Sequence, residues 1–299
     1  MLNSLYSGIT GMKGQQTKMD VIANNIANVN TTGFKSQRVR FQDMISQMDA
    51  RAQGPNTGGR GGINAQQVGL GSQVASTDIM MQGGSLQFTG RALDFGLQNG
   101  DSSFFVVSQD GGASGMNQYT RDGGFYTDNN GNLTTSSGMR VMGYQPEGSG
   151  APVLEEGLVM NTDQLVALDI PQTIQDANGN TIELQDYAVD STGTILGTYS
   201  NGEVYIIGRL ALASFANADG MEKVGENLYN SSANSGVAQF GAPSDDGFAT
   251  VRSGFMEMSN VDLANEFTEM IVTSRAYSAN TRSITTSDEM LQELINLKR

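Results

Sequence analysis

Residues 2–29 read LNSLYSGITGMKGQQTKMDVIANNIANV, and the apolar side chains of this stretch fall at Leu2, Leu5, Ile9, Met12, Met19, Ala23 and Ile26. Steps of three and four are those of heptad a and d positions; Gln16 is the break in the row, and Ile22 and Val29 widen it. The pattern predicts a helix from about residue 4 to 29, roughly 40 Å long at ~1.5 Å per residue. Asn28, Asn30, Thr31, Thr32 and Gly33 supply the side chains and flexible backbone that end it. Gly8, Gly11 and Gly14 each cost an isolated helix roughly 0.5–1 kcal/mol, so this helix is expected to need partners.

The other end of the chain repeats the design. Ser259-Asn260-Val261-Asp262 offers a capping-box start, and Leu263, Phe267, Met270, Tyr277, Ile284, Leu291 and Ile295 continue the spacing, with Ile271 beside them. Ser274, Thr281 and Asp288 interrupt the d positions, and the polar run Thr285-Thr286-Ser287-Asp288 marks a place to kink or restart. Two readings stand side by side: an intramolecular antiparallel pair, or assembly surfaces saturated only when many copies set their terminal helices together.

Between the ends the composition changes. Of 38 glycines, four lie in residues 1–50 and one after residue 250, and all five prolines lie in the middle. Runs such as Phe104-Phe105-Val106-Val107, Arg140 to Tyr144, Val204 to Ile207 and Leu210 to Phe215 read as strands. Asp128-Asn129-Asn130-Gly131-Asn132, its echo Asp176-Ala177-Asn178-Gly179-Asn180, and Asn201-Gly202 read as hairpin turns. The fold class expected is α+β: long N- and C-terminal, coiled-coil-like helices flanking a discontinuous, mainly β domain. Its parts are a terminal helical assembly domain (1–30 plus 261–299), a linker or extended connector (31–67, with Gly58-Gly59-Arg60-Gly61-Gly62), a β-rich domain (68–145 plus 186–260) and a small excursion of it (146–185).

The net charge is −14, which argues against nucleic acid as a partner. It belongs to the middle: residues 51–250 carry seven Lys/Arg against twenty-one Asp/Glu, whereas 1–50 carry five against three and 251–299 five against seven. Nearly neutral ends pack or stack without mutual repulsion, while an acidic middle stays solvated. Cys, His and Trp are absent, which removes the thiolate nucleophile, the commonest general base and the usual transition-metal ligands. Gly69-Leu70-Gly71 lacks the third glycine and the strand-to-helix context of a dinucleotide fingerprint, and Asp128 to Gly131 places its glycine too early for a calcium loop. No catalytic residue, cofactor or metal is expected, nor a cleavable Sec signal or membrane insertion.

Ala23-Asn24-Asn25-Ile26-Ala27-Asn28-Val29-Asn30-Thr31-Thr32-Gly33-Phe34-Lys35 resembles the N-terminal signature of the bacterial flagellar rod and hook proteins. Gln66 to Gly71, Ala213 to Asn217, Glu222 to Gly225, Gln239 to Pro243, Met258 to Leu263 and Thr286 to Arg299 are similar to the hook members, so that all but about 146–185 is covered. The signature residues are Asn24, Asn25, Asn28, Thr32, Gly33, Phe34, Lys35, Asn260, Val261 and Asp262. Leu93 to Ser103 departs from the family pattern, and the middle is short for a hook protein. The resemblance implies a structural hook subunit that self-assembles into a curved hollow tube, a universal joint between rod and filament. The alternative is a distal rod subunit; a secreted β-rich adhesin is the remote one. It also implies a location in the flagellar hook and basal body outside the cell, export by the flagellar type III apparatus, and rod proteins, hook-filament junction proteins and a hook cap as partners beside the chain itself.

Overall fold

A computed structural model describes residues 2–55, 61–112, 115–146, 153–154, 164–175 and 181–297, and the chain separates into two compact units. A helical unit holds residues 1–27, 37–79 and 262–299, and a β unit holds 28–36 and 80–261. The architecture is α+β, with one helix before and one after a large, mainly β body.

In the helical unit, α1 (Leu2–Ala27) lies antiparallel to α2 (Leu263–Leu297). Ser4 Oγ is 3.4 Å from Ser287 Oγ, Lys18 Nζ meets Glu269 Oε2 at 2.5 Å, and Asn25 Nδ2 donates to Glu266 Oε1 at 3.0 Å. Helix α1 stops two residues before the expected end at 29. Helix α2 starts after Asp262, whose Oδ1 accepts from Ala264 N and Asn265 N, so the cap falls three residues later than a Ser259-led box. The run from Thr285 to Asp288 does not break α2: Thr285, Thr286 and Ser287 donate back to the carbonyls of Arg282 and Ser283, which satisfies their hydroxyls inside the helix.

Much of the expected connector 31–67 is paired ladder. Strand β1 (Gln37–Asp43) runs antiparallel to β4 (Ser72–Ile79) with a register shift after Arg40, and β2 (Ser46–Ala50) pairs β3 (Gln66–Gly69), extended by a bridge from Gln53 to Ile63. Gly58, Gly59 and Arg60 lie outside the described residues.

The largest sheet of the β unit has, in spatial order, Thr173–Gln175, Thr181–Val189, Thr194–Tyr199, Val204–Leu210, Arg140–Tyr144, Ser103–Ser108, Asn117–Thr120, Leu228–Asn230 and Glu222–Gly225, each antiparallel to the next. Ser103–Ser108 is buried along its whole length, which is why its sequence reads as a continuous apolar run. Phe105 stands edge-on to Phe125 at 5.3 Å, and Phe95, Leu133, Val141, Ile195, Leu210 and Leu212 complete the core around them. The hairpins at 128–132 and 201–202 form as expected, with Gly131 N donating to Asp128 O and Gly202 N to Tyr199 O. The turn at Asp176 to Asn180 lies outside the described residues.

Leu93 to Ser103 forms the strand Phe95–Gln98, paired with Thr250–Ser253, and then turns through Asn99 at φ +62. The boundary expected at 185 falls inside the strand Thr181–Val189, and Leu168 and Ile170 are buried in the main core. The described strands of 146–185 pair into the same sheet, and Ile174 and Ile182 form a small cluster of their own with Tyr199 and Tyr205.

Candidate functional site

The seam between the two helices follows a heptad of its own. Along α2, Glu266, Met270, Thr273, Tyr277, Asn280, Ile284, Ser287 and Leu291 are buried or half-buried, at steps of four and three. The a-type residues of the sequence stripe, Met270, Tyr277, Ile284 and Leu291, therefore turn inward, but the second row of the seam is polar. Leu263, Phe267, Ile271 and Ile295 stay exposed, the last at 65%. On α1, Ile22 is buried, Leu5, Met12, Met19 and Ile26 are half-buried, and Ile9 is 49% exposed beside exposed Tyr6. The side chain of Leu2 lies outside the described set. Pairing within the chain thus accounts for nine of these fourteen stripe residues and leaves five exposed.

The three helix glycines have a structural reason that propensity alone does not show. A Cβ on Gly8 would stand 2.9 Å from Ile284 Cγ1, one on Gly11 2.9 Å from Asn280 Nδ2, and one on Gly14 3.0 Å from the Phe41 ring. They weaken α1 as an isolated helix and let α2 and β1 approach it closely.

Asn25 is buried and uses its amide fully: Nδ2 donates to Gln37 O at 2.8 Å and to Glu266 Oε1, while Oδ1 accepts from Gln37 N at 3.0 Å. It fastens β1 to the last turn of α1. Burial pushes the Glu266 carboxyl above its ordinary range, and the hydrogen bond from Asn25 opposes that shift. Asn25→Ala strands the Gln37 N–H and is expected to destabilise the helical unit by about 1–3 kcal/mol, read as faster amide exchange in α1 with the β unit unchanged.

In the β unit the rest of the signature forms one node. Thr32 Oγ1 donates to Asp122 Oδ1 at 3.0 Å, and Asn227 Nδ2 donates to Thr32 O at 3.1 Å. Gly33 has φ +66, its N donates to Glu257 O, and a Cβ there would sit 2.6 Å from Asp122 N, so only glycine fits. Asn260 Oδ1 accepts from Ser36 N at 2.8 Å while its Nδ2 donates to Met80 O at 2.8 Å and Gln82 O at 3.2 Å. One side chain therefore ties together three of the segments from which the chain leaves this unit. Asn28 accepts from Thr31 Oγ1 in a local turn; Asn24 is exposed, Val261 half-buried, and Asp262 is the α2 cap already described.

At the centre of the node Lys35 is 0% exposed; its Nζ meets Glu257 Oε1 at 2.6 Å and donates to Gln82 O at 2.8 Å. Arg121 and Glu257 are each 1% exposed; Arg121 reaches Glu257 Oε2 at 3.2 Å, donates to Gly100 O and lies over the Phe104 ring. Gly84 N donates to Glu257 Oε1, so the carboxylate is held from several sides. Burial, and then the Arg121 guanidinium, hold the Lys35 amine below its ordinary value; Glu257 opposes them. Sequence reading found Lys35, but not Glu257, Arg121, Lys223 or Asn227. An isolated Glu in the otherwise uncharged strand Phe255–Glu257 is the one available signal.

Lys223 lies over the Phe34 ring at 4.3 Å and donates to Lys35 O at 2.9 Å; burial lowers its amine to about 8 from 10.5. Between those values the unfolded chain binds more protons than the folded one, so stability rises with pH across that window and the contribution is flat below it. The urea midpoint of the wild type is expected to rise from pH 8 to 10.5 relative to Lys223→Met, and parallel curves would contradict this.

Among the described residues no cluster of acidic side chains is placed to hold a metal ion, and no helix is long and apolar enough to cross a membrane. Three family models match the chain: "Flagella basal body rod protein" over residues 5–35, "Flagellar hook protein FlgE/F/G D1 domain" over 99–197, and "Flagellar basal body rod FlgEFG protein C-terminal" over 252–297. The chain is 43% identical over 306 positions to the flagellar basal-body rod protein FlgG of Bacillus subtilis (strain 168), and 34% over 301 to that of Borreliella burgdorferi, all of each chain being covered. To the flagellar hook protein FlgE of Borreliella burgdorferi it is 30% identical over 449 positions, again with both chains covered throughout.

Proposed function

Because the chain belongs to the flagellar basal-body rod and hook protein family, we propose that it is a structural, non-enzymatic subunit of the distal rod, polymerising with itself in the axis of the flagellar basal body. The observation that carries the rod over the hook is length. The rod relatives align end to end in 306 and 301 positions, whereas the hook relative needs 449 positions for these 299 residues, leaving about 150 with no counterpart here. The hook stays the second reading, favoured by that relative's alignment over the whole chain. Short, sheet-continuous residues around 146–185 support the rod, since they leave little material for a separate outer domain.

In this reading Met270, Tyr277, Ile284 and Leu291 hold α1 to α2, while Ile9, Leu263, Phe267, Ile271 and Ile295 face neighbouring subunits. Rod proteins and the flagellar type III export apparatus are the partners of this role, with export that leaves no cleaved signal, while hook-filament junction proteins and a hook cap belong to the hook reading. The test is electron microscopy of polymers grown from the purified full chain: straight tubes are expected, curved tubes would move the protein to the hook, and a chain that stays monomeric at every concentration would overturn self-assembly.

A further inference from the structure

We propose that each helical unit receives, in a groove formed by α1 and the β1–β4 ladder, the C-terminal turns of α2 from a second copy of this chain. The inference rests on the self-assembly reading above and adds the docking geometry to it. The groove holds about 320 Å³; Met44 and Val74 supply its apolar wall, Thr10 and Thr17 line it from α1, Gly14 adds no side chain, and Lys13 is its one charged residue. The occupant is the apolar end of α2, where Met290, Leu294, Ile295 and Leu297 are exposed, Leu297 at 83%.

The register of the helix pair explains why that end is bare. Ser4 stands opposite Ser287 and Gly8 opposite Ile284, so the positions after Leu291, the last half-buried residue of the seam, have no partner turn on the described part of α1. Charge fits the same pairing: Glu289 and Glu293 are exposed among the apolar residues of the occupant, and neither they nor Lys13 enters an ion pair among the described residues. Lys298 and Arg299, which follow, lie outside that set.

A chain cannot fill its own groove. Continuing the same register, Thr17 lies opposite about position 274 of α2, some twenty residues from Ile295, roughly 30 Å at ~1.5 Å per residue. Knob and groove are also different surfaces. Passed in one direction from copy to copy, the contact is heterologous and leaves a free knob and a free groove after every addition, which builds an open polymer; reciprocal exchange between two copies would close a dimer and give no ladder beyond it.

The chain has no cysteine, which makes the test clean. In polymers of the full chain carrying Thr17→Cys and Ile295→Cys together, mild oxidation is expected to give a ladder of covalent multimers, because a disulfide needs Cα atoms within about 7 Å and cannot form inside one chain. Each single variant should stay free of ladders, and so should Asn201→Cys with Ile295→Cys, whose first site is an exposed hairpin of the β unit. Normal polymers without a ladder in the first pair, or equal ladders in the control, would overturn the docking and leave self-assembly standing. A wild-type chain that forms no polymer would overturn both.

Discussion

Glu257→Ala is expected to lower the stability of the β unit by about 3–5 kcal/mol, the usual cost of removing one partner from a buried ion pair. Two cations, Lys35 and Arg121, share this one carboxylate in a site with 0–1% exposure, so its loss leaves both without a counter-ion. It also leaves Gly84 N without its acceptor. At 2–4 °C per kcal/mol for a unit of this size, the midpoint of thermal unfolding should fall by roughly 10–15 °C. The defect has a direction in pH. With Glu257 gone, only the smaller effect of Asp101 offsets the burial and the Arg121 charge that lower the Lys35 amine, so the folded state sheds that proton first and the variant regains stability as pH rises. Loss of stability independent of pH would mean that packing around the strand, not charge, is what Glu257 supplies.

The second large effect is on assembly. Ile9→Asp places a carboxylate on an exposed α1 face outside the seam, so the helix pair and its circular dichroism should be unchanged. If that face is covered in the polymer, desolvating the new charge costs on the order of 3 kcal/mol per subunit. At 1.4 kcal/mol per tenfold, the critical concentration should rise roughly a hundredfold. Met270→Asp, by contrast, strikes the half-buried row facing α1 and should lose helix as well as polymer. The two variants separate the inward and outward rows of a stripe that is continuous in sequence.

What the sequence reveals here follows from how local each signal is. The strands around Phe104, Val141 and Val204 are legible because they are buried on both sides and read as apolar runs. Strands β1 and β4 are not, since the half-buried positions of β4 are Ser72, Val74, Ser76 and Asp78, and no apolar alternation marks them. The helices are legible from their spacing, but their facing is not. Polar Glu266, Thr273, Asn280 and Ser287 take the second row of the seam, and glycines on α1 accept the close approach that apolar knobs would otherwise make. Asn25 and Asn260 stand out as signature residues, yet their roles depend on partners that only the fold supplies. Lys35 and Glu257 are 222 positions apart, and no periodicity connects them. The middle already reads as short for a hook protein in the sequence, and full-length relatives set beside it put a length on the difference.

The most direct measurement is electron microscopy of basal bodies from cells lacking this chain. A distal-rod subunit predicts rods that stop short, with neither hook nor filament attached. Intact rods, hooks and filaments in its absence would contradict a structural role in the axis.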